Sequence, residues 1–152
     1  MYDEMATCPI DQYDPAEPDR ELVSRYTEGE CMLLARAVEA ISGWPAMGYW
    51  ADKMDKMEHG MMTGHGCWDV HIFNLLPDGR RLDIMGARET RPFNQEWRYC
   101  VKDLRRVRKV LDWEHMESEW GCSMEPDEYT YEVAEKLVEY IENELLDKFG
   151  RA

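Results

Sequence analysis

The chain has 152 residues, of which 44% are hydrophobic and 33% are charged, and its formal net charge at pH 7 is −14. These values are typical of one globular domain with a buried core, and they exclude a disordered chain. The sequence contains no apolar run of about 18 residues, so we expect no membrane-spanning helix.

An acidic arm precedes the part of the sequence that predicts regular structure. Residues 1–19 contain three prolines among acidic residues, which predicts an extended arm outside the packed structure. We expect residues 20–152 to form one compact domain that starts with a short helix or turn at residues 20–30. Thr27-x-x-Glu30 matches a capping box in front of the next helix.

A cysteine begins the first strongly amphipathic segment. From Cys31 to Ser42 the apolar residues fall on one helical face, and Gly43 is the expected end of that helix. Residues 46–51 predict a short strand. Residues 52–67 are rich in Met, Gly and His without a clear period, which predicts a loop.

A β-hairpin follows in the middle of the chain. Val70–Leu76 is rich in β-branched and aromatic residues, and Arg81–Met85 predicts the return strand. Pro77-Asp78-Gly79-Arg80 between them is a turn sequence in which glycine supplies a positive φ.

The C-terminal half predicts two more helices. Asn94 is a candidate cap for a helix that continues to Leu111, and residues 112–124 predict irregular structure. Apolar residues at every fourth position predict a last helix from about Asp127 to Phe149. The predicted fold class is α+β, with a cysteine-bearing N-terminal helix and two further helices packed on a short antiparallel sheet.

Cys31 is the candidate nucleophile. It lies in the first turn of a predicted helix, where partial positive charge and exposed backbone N–H groups favour the thiolate. The neighbouring Glu28 and Glu30 oppose this effect, and a cysteine on a helix is also a common core residue. The position alone therefore leaves both roles open.

His71 is the candidate general base, and Asp83 is the carboxylate that would orient it. With the hairpin turning at its Asp-Gly pair, facing residue numbers sum to about 157, so that Asp83 faces Asn74, one diagonal step from the row of His71. A carboxylate in that place can hold the second imidazole nitrogen and stabilise the imidazolium. Asp69 and Asp78 are alternatives for the same role.

Two sequence blocks resemble those of small papain-like cysteine hydrolases. In that family a helix begins at a cysteine and ends in Gly-Trp-Pro, and a histidine strand leads through Pro-Asp-Gly-Arg to a Leu-Asp strand. The resemblance implies a papain-like fold with Cys31 as nucleophile, His71 as base and Asp83 as orienting residue, without a cofactor. It also implies a hydrolase or acyl transferase that acts on a peptide, isopeptide or amide bond. The matching blocks are Gly29-Glu30-Cys31-Met32-Leu33-Leu34-Ala35-Arg36-Ala37 with Gly43-Trp44-Pro45, and the segment from His71 to Gly86.

The cysteine pattern and the N-terminal residues indicate the cellular compartment. The chain has five cysteines and no C-x-x-C pair, which favours buried or catalytic thiols over a disulfide framework. The first residues lack the basic and apolar regions of a secretory signal, so we expect a cytoplasmic protein. The cysteines are Cys8, Cys31, Cys67, Cys100 and Cys122.

A metal site is the alternative for His71. The side chains of His59, His65, Cys67 and His71 lie within 13 residues, and imidazole and thiolate both suit zinc. Their spacing matches no structural zinc motif, so we expect no metal. A histidine that binds a metal ion is also unable to act as the base, so the two interpretations exclude each other.

The charge distribution supports a second class of function. Residues 1–30 contain nine acidic and two basic residues, and residues 112–149 contain thirteen acidic and two basic residues. Residues 80–110 reverse this balance, and a basic helix at residues 98–109 could track phosphate or pair with the acidic last helix. Because a charge of −14 repels nucleic acid, we expect a protein or peptide partner. The alternative to an enzyme is therefore a small acidic binding protein, such as a phage or mobile-element inhibitor that docks on a basic nucleic-acid-binding host protein.

Overall fold

A computed structural model of the protein describes residues 8–28, 30–51, 68–97, 107–109, 113–121 and 123–149. Over these ranges the chain is a mixed α+β structure, as the sequence predicts. None of the helices in the described part is long and apolar enough to cross a membrane. In chain order the elements are a 3-10 helix (Ile10–Gln12), α1 (Arg20–Glu28), α2 (Cys31–Ser42), β1 (Ala46–Ala51), β2 (Trp68–Leu75), β3 (Arg81–Asp83), β4 (Gly86–Arg88), α3 (Thr90–Trp97), β5 (Val107–Lys109), α4 (Trp113–Trp120) and α5 (Glu128–Phe149).

The strands form one antiparallel sheet in the order β4-β3-β2-β1-β5. Three successive strands, β2 to β4, form a meander, and β1 adds to its β2 side. The last strand, β5, then pairs with the outer edge of β1, at Met47, Gly48 and Tyr49.

The main core is formed by α1, α2 and α5 packed with the hairpin strands. The helix predicted from Cys31 to Ser42 is confirmed, and it ends at Gly43 in the left-handed conformation, with φ 80°. The last helix is also confirmed, and the Asp127 side chain caps it by accepting from the Thr130 amide at 2.9 Å. Side chains that bury the core face of these helices and strands include Leu34, Val38, Leu82, Val133, Leu137 and Ile141.

The N-terminal arm is packed where the structure describes it. Tyr13 is only 3% exposed and belongs to the main core. The Lys136 ammonium donates to the carbonyl oxygens of Ile10 at 2.6 Å and Tyr13 at 3.4 Å. Pro9 precedes the short 3-10 helix, and apolar side chains around it pack on the core, so the extended unpacked arm predicted for residues 1–19 is wrong over residues 8–13.

The capping box predicted at Thr27 and Glu30 is not formed. Thr27 lies within α1, and its hydroxyl donates to the Val23 carbonyl oxygen at 2.6 Å. Glu30 occupies the cap position of α2 but makes no side-chain cap hydrogen bond. Its carboxylate pairs with Arg25 instead, because a charged partner is available one turn earlier in the chain.

The region after β4 differs from its prediction. Asn94 lies inside α3, which begins at Thr90, and Val107 lies in β5 rather than in a helix. Residues 112–124, predicted to be irregular, contain α4. β5 forms because its backbone pairs with the free edge of β1, and this pairing overrides a weak helical pattern in the sequence. Most of the predicted basic helix, residues 98–106, lies outside the described residues, as does the predicted loop at residues 52–67.

The hairpin turn sets the register between β2 and β3. The Gly79 amide donates to the Leu76 carbonyl oxygen, and the Leu76 amide donates to the Arg80 carbonyl oxygen, both at 2.9 Å. The loop therefore has three residues, with Gly79 at φ 91°, rather than the two-residue turn assumed above. Asn74 consequently pairs with Leu82, one residue away from the predicted partner. The return strand ends at Asp83, and the chain turns again into β4.

The hairpin gives a direct test of this backbone geometry. We expect Gly79→Ala to lower the free energy of unfolding by about 1–2 kcal/mol, because a Cβ is strained at positive φ. An added Cβ at Gly79 meets nothing within 4 Å, so the loss would come from the backbone and not from a clash. Gly79→Asn is the matched control and should lose less, since asparagine tolerates this conformation. Equal losses of unfolding free energy for Gly79→Ala and Gly79→Asn in urea denaturation would contradict an origin in backbone strain.

Candidate functional site

The three residues predicted to form a site lie together in the structure. Cys31 is the first residue of α2, His71 lies on β2, and Asp83 is the last residue of β3. The imidazole of His71 is fully buried, and its Nε2 lies 3.1 Å from Oδ2 of Asp83. The Cys31 thiol lies near enough to the same ring to contribute to the raised pKa of His71.

The observed register explains why Asp83 reaches His71. With Asn74 paired to Leu82, continuation of the ladder sets Asp83 opposite Phe73. Side chains at alternate positions of a strand share a face, so Asp83 and His71 become diagonal neighbours on one face. The predicted register would have put Asp83 opposite Asn74, on the other face, so the one-residue correction is what permits the contact.

A local irregularity in β2 coincides with His71. Gly48 pairs with Ile72, but Trp50 pairs with Asp69, so two residues of β2 oppose one residue of β1. One of these two residues is His71. Insertions of this kind bend a strand and redirect a side chain, and they are common beside active sites. The extra residue accounts for an imidazole that contacts both α2 and the β3 carboxylate.

Besides His71, two groups hold the carboxylate of Asp83 through three hydrogen bonds. Its Oδ1 accepts from the Met85 amide at 2.9 Å and from Arg88 Nη2 at 3.1 Å, and its Oδ2 accepts from the same Arg88 nitrogen at 2.9 Å. The alternative carboxylate Asp78 is engaged elsewhere, by Arg80 at 2.7 Å. The Asp69 side chain lies outside the described residues. Asp83 is therefore the carboxylate that contacts His71.

An aromatic ring of α3 packs against the His71 imidazole. The Phe93 ring of α3 lies 5.7 Å from the His71 ring and 5.1 Å from the Phe73 ring, centroid to centroid. The Arg88 guanidinium lies over Phe93 at 4.7 Å from its centroid. Arg88 thus contacts two of the groups that support the imidazole, the carboxylate and the phenyl ring.

A buried amide fixes the cysteine helix to the histidine strand. The Asn74 side chain is 2% exposed and donates to the carbonyl oxygens of Ala35 at 3.0 Å and Trp44 at 3.1 Å. Ala35 lies one helical turn after Cys31, and Asn74 lies three residues after His71. This link sets the position of α2 along β2, and with it the distance between thiol and imidazole.

Sequence reasoning missed the supporting residues Asn74, Arg88 and Phe93. A polar residue inside an apolar strand was the available signal for Asn74, because such a group is buried only when it is hydrogen-bonded. For Arg88 the only signal was the excess of basic residues between positions 80 and 110. Phe93 carried no signal, since it fell before the helix that was predicted.

The thiol lies at the edge of a second apolar cluster. Cys31 is half-buried and packs with Met32, Leu33 and Trp113 against a small core. Cys31 and Cys8 are the free cysteines of the described part of the chain. The buried members of this core are Ala35, Ala46, Ile72, Met116 and Met124.

The protonation of His71 reflects two opposing effects. Burial is the largest contribution and disfavours the imidazolium. The hydrogen bond to Asp83, and the charges of Asp83 and of the nearby Cys31, outweigh burial and raise the pKa of His71 from 6.5 to about 9. The site therefore favours a charged imidazolium near neutral pH.

The alternative metal site lies largely outside the described residues. His59, His65 and Cys67 fall in the segment 52–67, of whose structure nothing is described. Among the residues that are described, no group of three or more His, Cys, Asp and Glu side chains is arranged to hold a metal ion. In the described part of the chain His71 pairs with Asp83 and packs against the Phe93 ring.

The raised pKa of His71 can be measured by NMR titration of its ring. We expect a midpoint near 9 in the wild type. In Asp83→Asn the pKa of His71 should fall by about 1–3 pH units, because the carboxylate that stabilises the imidazolium is gone and burial still disfavours it. His71→Gln identifies the resonance among the four histidines.

The same shift predicts a pH dependence of stability. Because the folded pKa of His71 lies above 6.5, the folded protein holds a proton that the unfolded chain has released between pH 6.5 and about 9. The stabilisation is complete below this window and is lost as the pH rises through it. A wild-type titration midpoint at or below 6.5 would contradict the described electrostatics.

No protein-family model, curated protein or solved structure matches this chain at a significant level. Its function is therefore inferred from the chemistry of Cys31, His71 and Asp83 themselves.

Proposed function

We propose that the protein is a papain-like cysteine hydrolase or acyl transferase that acts on a peptide, isopeptide or amide bond. One observation carries the proposal: the buried imidazole of His71 is paired with the Asp83 carboxylate and is electrostatically coupled to the Cys31 thiol at the start of α2. Nucleophile, base and orienting group come from positions far apart in the chain. Their order along the chain is also the one that the sequence resemblance implies.

Each residue of the triad has a defined role in the proposed reaction. His71 takes the proton from Cys31, and the resulting thiolate attacks the carbonyl carbon of the substrate. The tetrahedral intermediate collapses to a thioester as the amine leaves with the proton from the imidazolium. Water or an acceptor amine then attacks the thioester while His71 takes its proton, and the sulfur leaves as a thiolate beside the imidazolium, from which it can take back the proton. Asp83 stabilises the imidazolium throughout and keeps the ring in place.

The start of α2 supplies stabilisation for the oxyanion. The backbone N–H of Cys31 lies at the helix N-terminus, where the aligned peptide dipoles favour negative charge. The Glu30 side chain, at the cap position, makes no hydrogen bond to the first turn of the helix. A developing oxyanion beside Cys31 would therefore not compete with a capping carboxylate.

An acidic binding role is the second candidate. It is favoured by the exposed carboxylates of α5, which face solvent over most of the helix length. A basic protein partner would suit this surface, and such binding would not require Cys31. Retention of a partner by Cys31→Ala would separate the two roles. The exposed acidic residues of α5 are Glu128, Glu135, Glu139, Glu142 and Asp147.

Thiol alkylation tests the proposed nucleophile. At pH 6.5 we expect iodoacetamide to modify Cys31 about tenfold faster than Cys8, because the imidazolium favours the thiolate. Cys8 is an internal control, since burial, followed by the charge of Asp19, raises the pKa of its thiol. Rates for each cysteine would be measured by peptide mass spectrometry.

His71→Gln should remove the advantage of Cys31 while leaving the rate at Cys8 unchanged. Circular dichroism would show that the variant remains folded. Equal rates at Cys31 and Cys8 in the wild type would sink the hydrolase proposal. A fast Cys31 that does not depend on His71 would also exclude the proposed base.

A further inference from the structure

Glu30 presents a problem for the proposed nucleophile. It directly precedes Cys31 in the chain, at the cap position of α2. A carboxylate in this place disfavours a thiolate by charge repulsion, and it can reach the backbone N–H groups of the first helical turn. Either effect would weaken a cysteine nucleophile at the helix start.

The structure shows where this carboxylate goes. Arg25 of α1 donates from Nε to Oε2 of Glu30 at 3.0 Å and from Nη2 to Oε1 at 3.2 Å. This two-point pairing matches the planar guanidinium to the carboxylate, which fixes the direction of the Glu30 side chain as well as compensating its charge. The side chains of Arg25 and Glu30 are 15% and 22% exposed, so solvent screens the pair less than a surface pair.

Further contacts immobilise the guanidinium. Its Nη2 also donates to Oδ2 of Asp127, at the start of α5, at 3.0 Å. Its central carbon lies 5.0 Å from the ring centroid of Tyr26 and 5.5 Å from that of Tyr129. An arginine held in this way loses little additional freedom by pairing with Glu30, so the pair persists where a mobile surface pair would not.

We infer that Arg25 is a positioning residue for the nucleophile: its ion pair with Glu30 holds that carboxylate away from the Cys31 thiolate and from the first turn of α2. The inference rests on the proposed function of Cys31. Among the side chains that the structure describes, the inference concerns the Arg25–Glu30 pair beside the start of α2 and the His71–Asp83 pair on the sheet.

A double-mutant cycle tests this role through the alkylation rate of Cys31 at pH 6.5. We expect Arg25→Gln to slow the reaction about threefold to tenfold, because the released Glu30 charge repels the thiolate. Glu30→Gln alone should react at or above the wild-type rate. The double variant Arg25→Gln/Glu30→Gln should recover to near the wild-type rate.

Recovery in the double variant separates a charge effect from a structural one. If Arg25 only tied α1, α2 and α5 together, removal of Glu30 would not restore the rate. Asp127→Asn is the matched control, because it removes the other carboxylate partner of Arg25 while asparagine still caps α5. This variant should keep the wild-type rate.

Two results would overturn the inference: an unchanged rate in folded Arg25→Gln, or a double variant as slow as Arg25→Gln. Should Arg25→Gln fail to fold, Arg25→Lys takes its place, since lysine lacks the two-point geometry. It should then be slower than the wild type and be restored by Glu30→Gln, and an unchanged rate would again overturn the inference. A wild-type Cys31 no faster than Cys8 would instead reject the proposed function itself, whatever the arginine variants do.

Discussion

The buried contact between His71 and Asp83 is the constraint on which the rest of the structure depends. A fully buried imidazole loses its hydration, and its charged form is acceptable only beside a compensating carboxylate. The three-residue hairpin loop brings Asp83 to the face of His71, and the extra residue in β2 directs the ring. Asn74 then fixes the cysteine helix against the same strand. The hairpin loop, the extra residue in β2 and the buried Asn74 amide thus all help to position His71 and Asp83.

Arginines compensate the carboxylates around Cys31. Arg88 pairs with the same carboxylate of Asp83 that contacts His71, and Arg25 pairs with Glu30, the residue before Cys31. The net charge of −14 therefore says little about the field at the site, which depends on a few pairs in partly buried surroundings. Under the proposed function the two pairs differ in consequence, because Asp83 has to remain available to the imidazole, whereas Glu30 has to be kept from the nucleophile.

The helices and the hairpin could be predicted from sequence patterns. The strand register and the contacts between distant side chains could not, because they depend on loop geometry and tertiary packing. The helix from Cys31 to Ser42, the last helix and the hairpin were predictable because each has a clear apolar period or a strong turn sequence. The register of Asp83 was not, since a two-residue and a three-residue loop around Gly79 leave the same composition. The order of Cys31, His71 and Asp83 indicated a triad, but whether three side chains meet depends on tertiary contacts such as that of Asn74. Burial of Tyr13 was missed for a similar reason, because proline-rich sequence reports the absence of regular structure and not the absence of packing.

The proposed chemistry requires that His71 activate Cys31 as a nucleophile. Ultraviolet difference absorbance between the wild type and Cys31→Ser at neutral pH measures the thiolate of this one cysteine directly. We expect a thiolate signal in the folded wild type that disappears when the same difference is taken in the His71→Gln background. Absence of the signal in the folded wild type at neutral pH, or its persistence without His71, would contradict the proposed function.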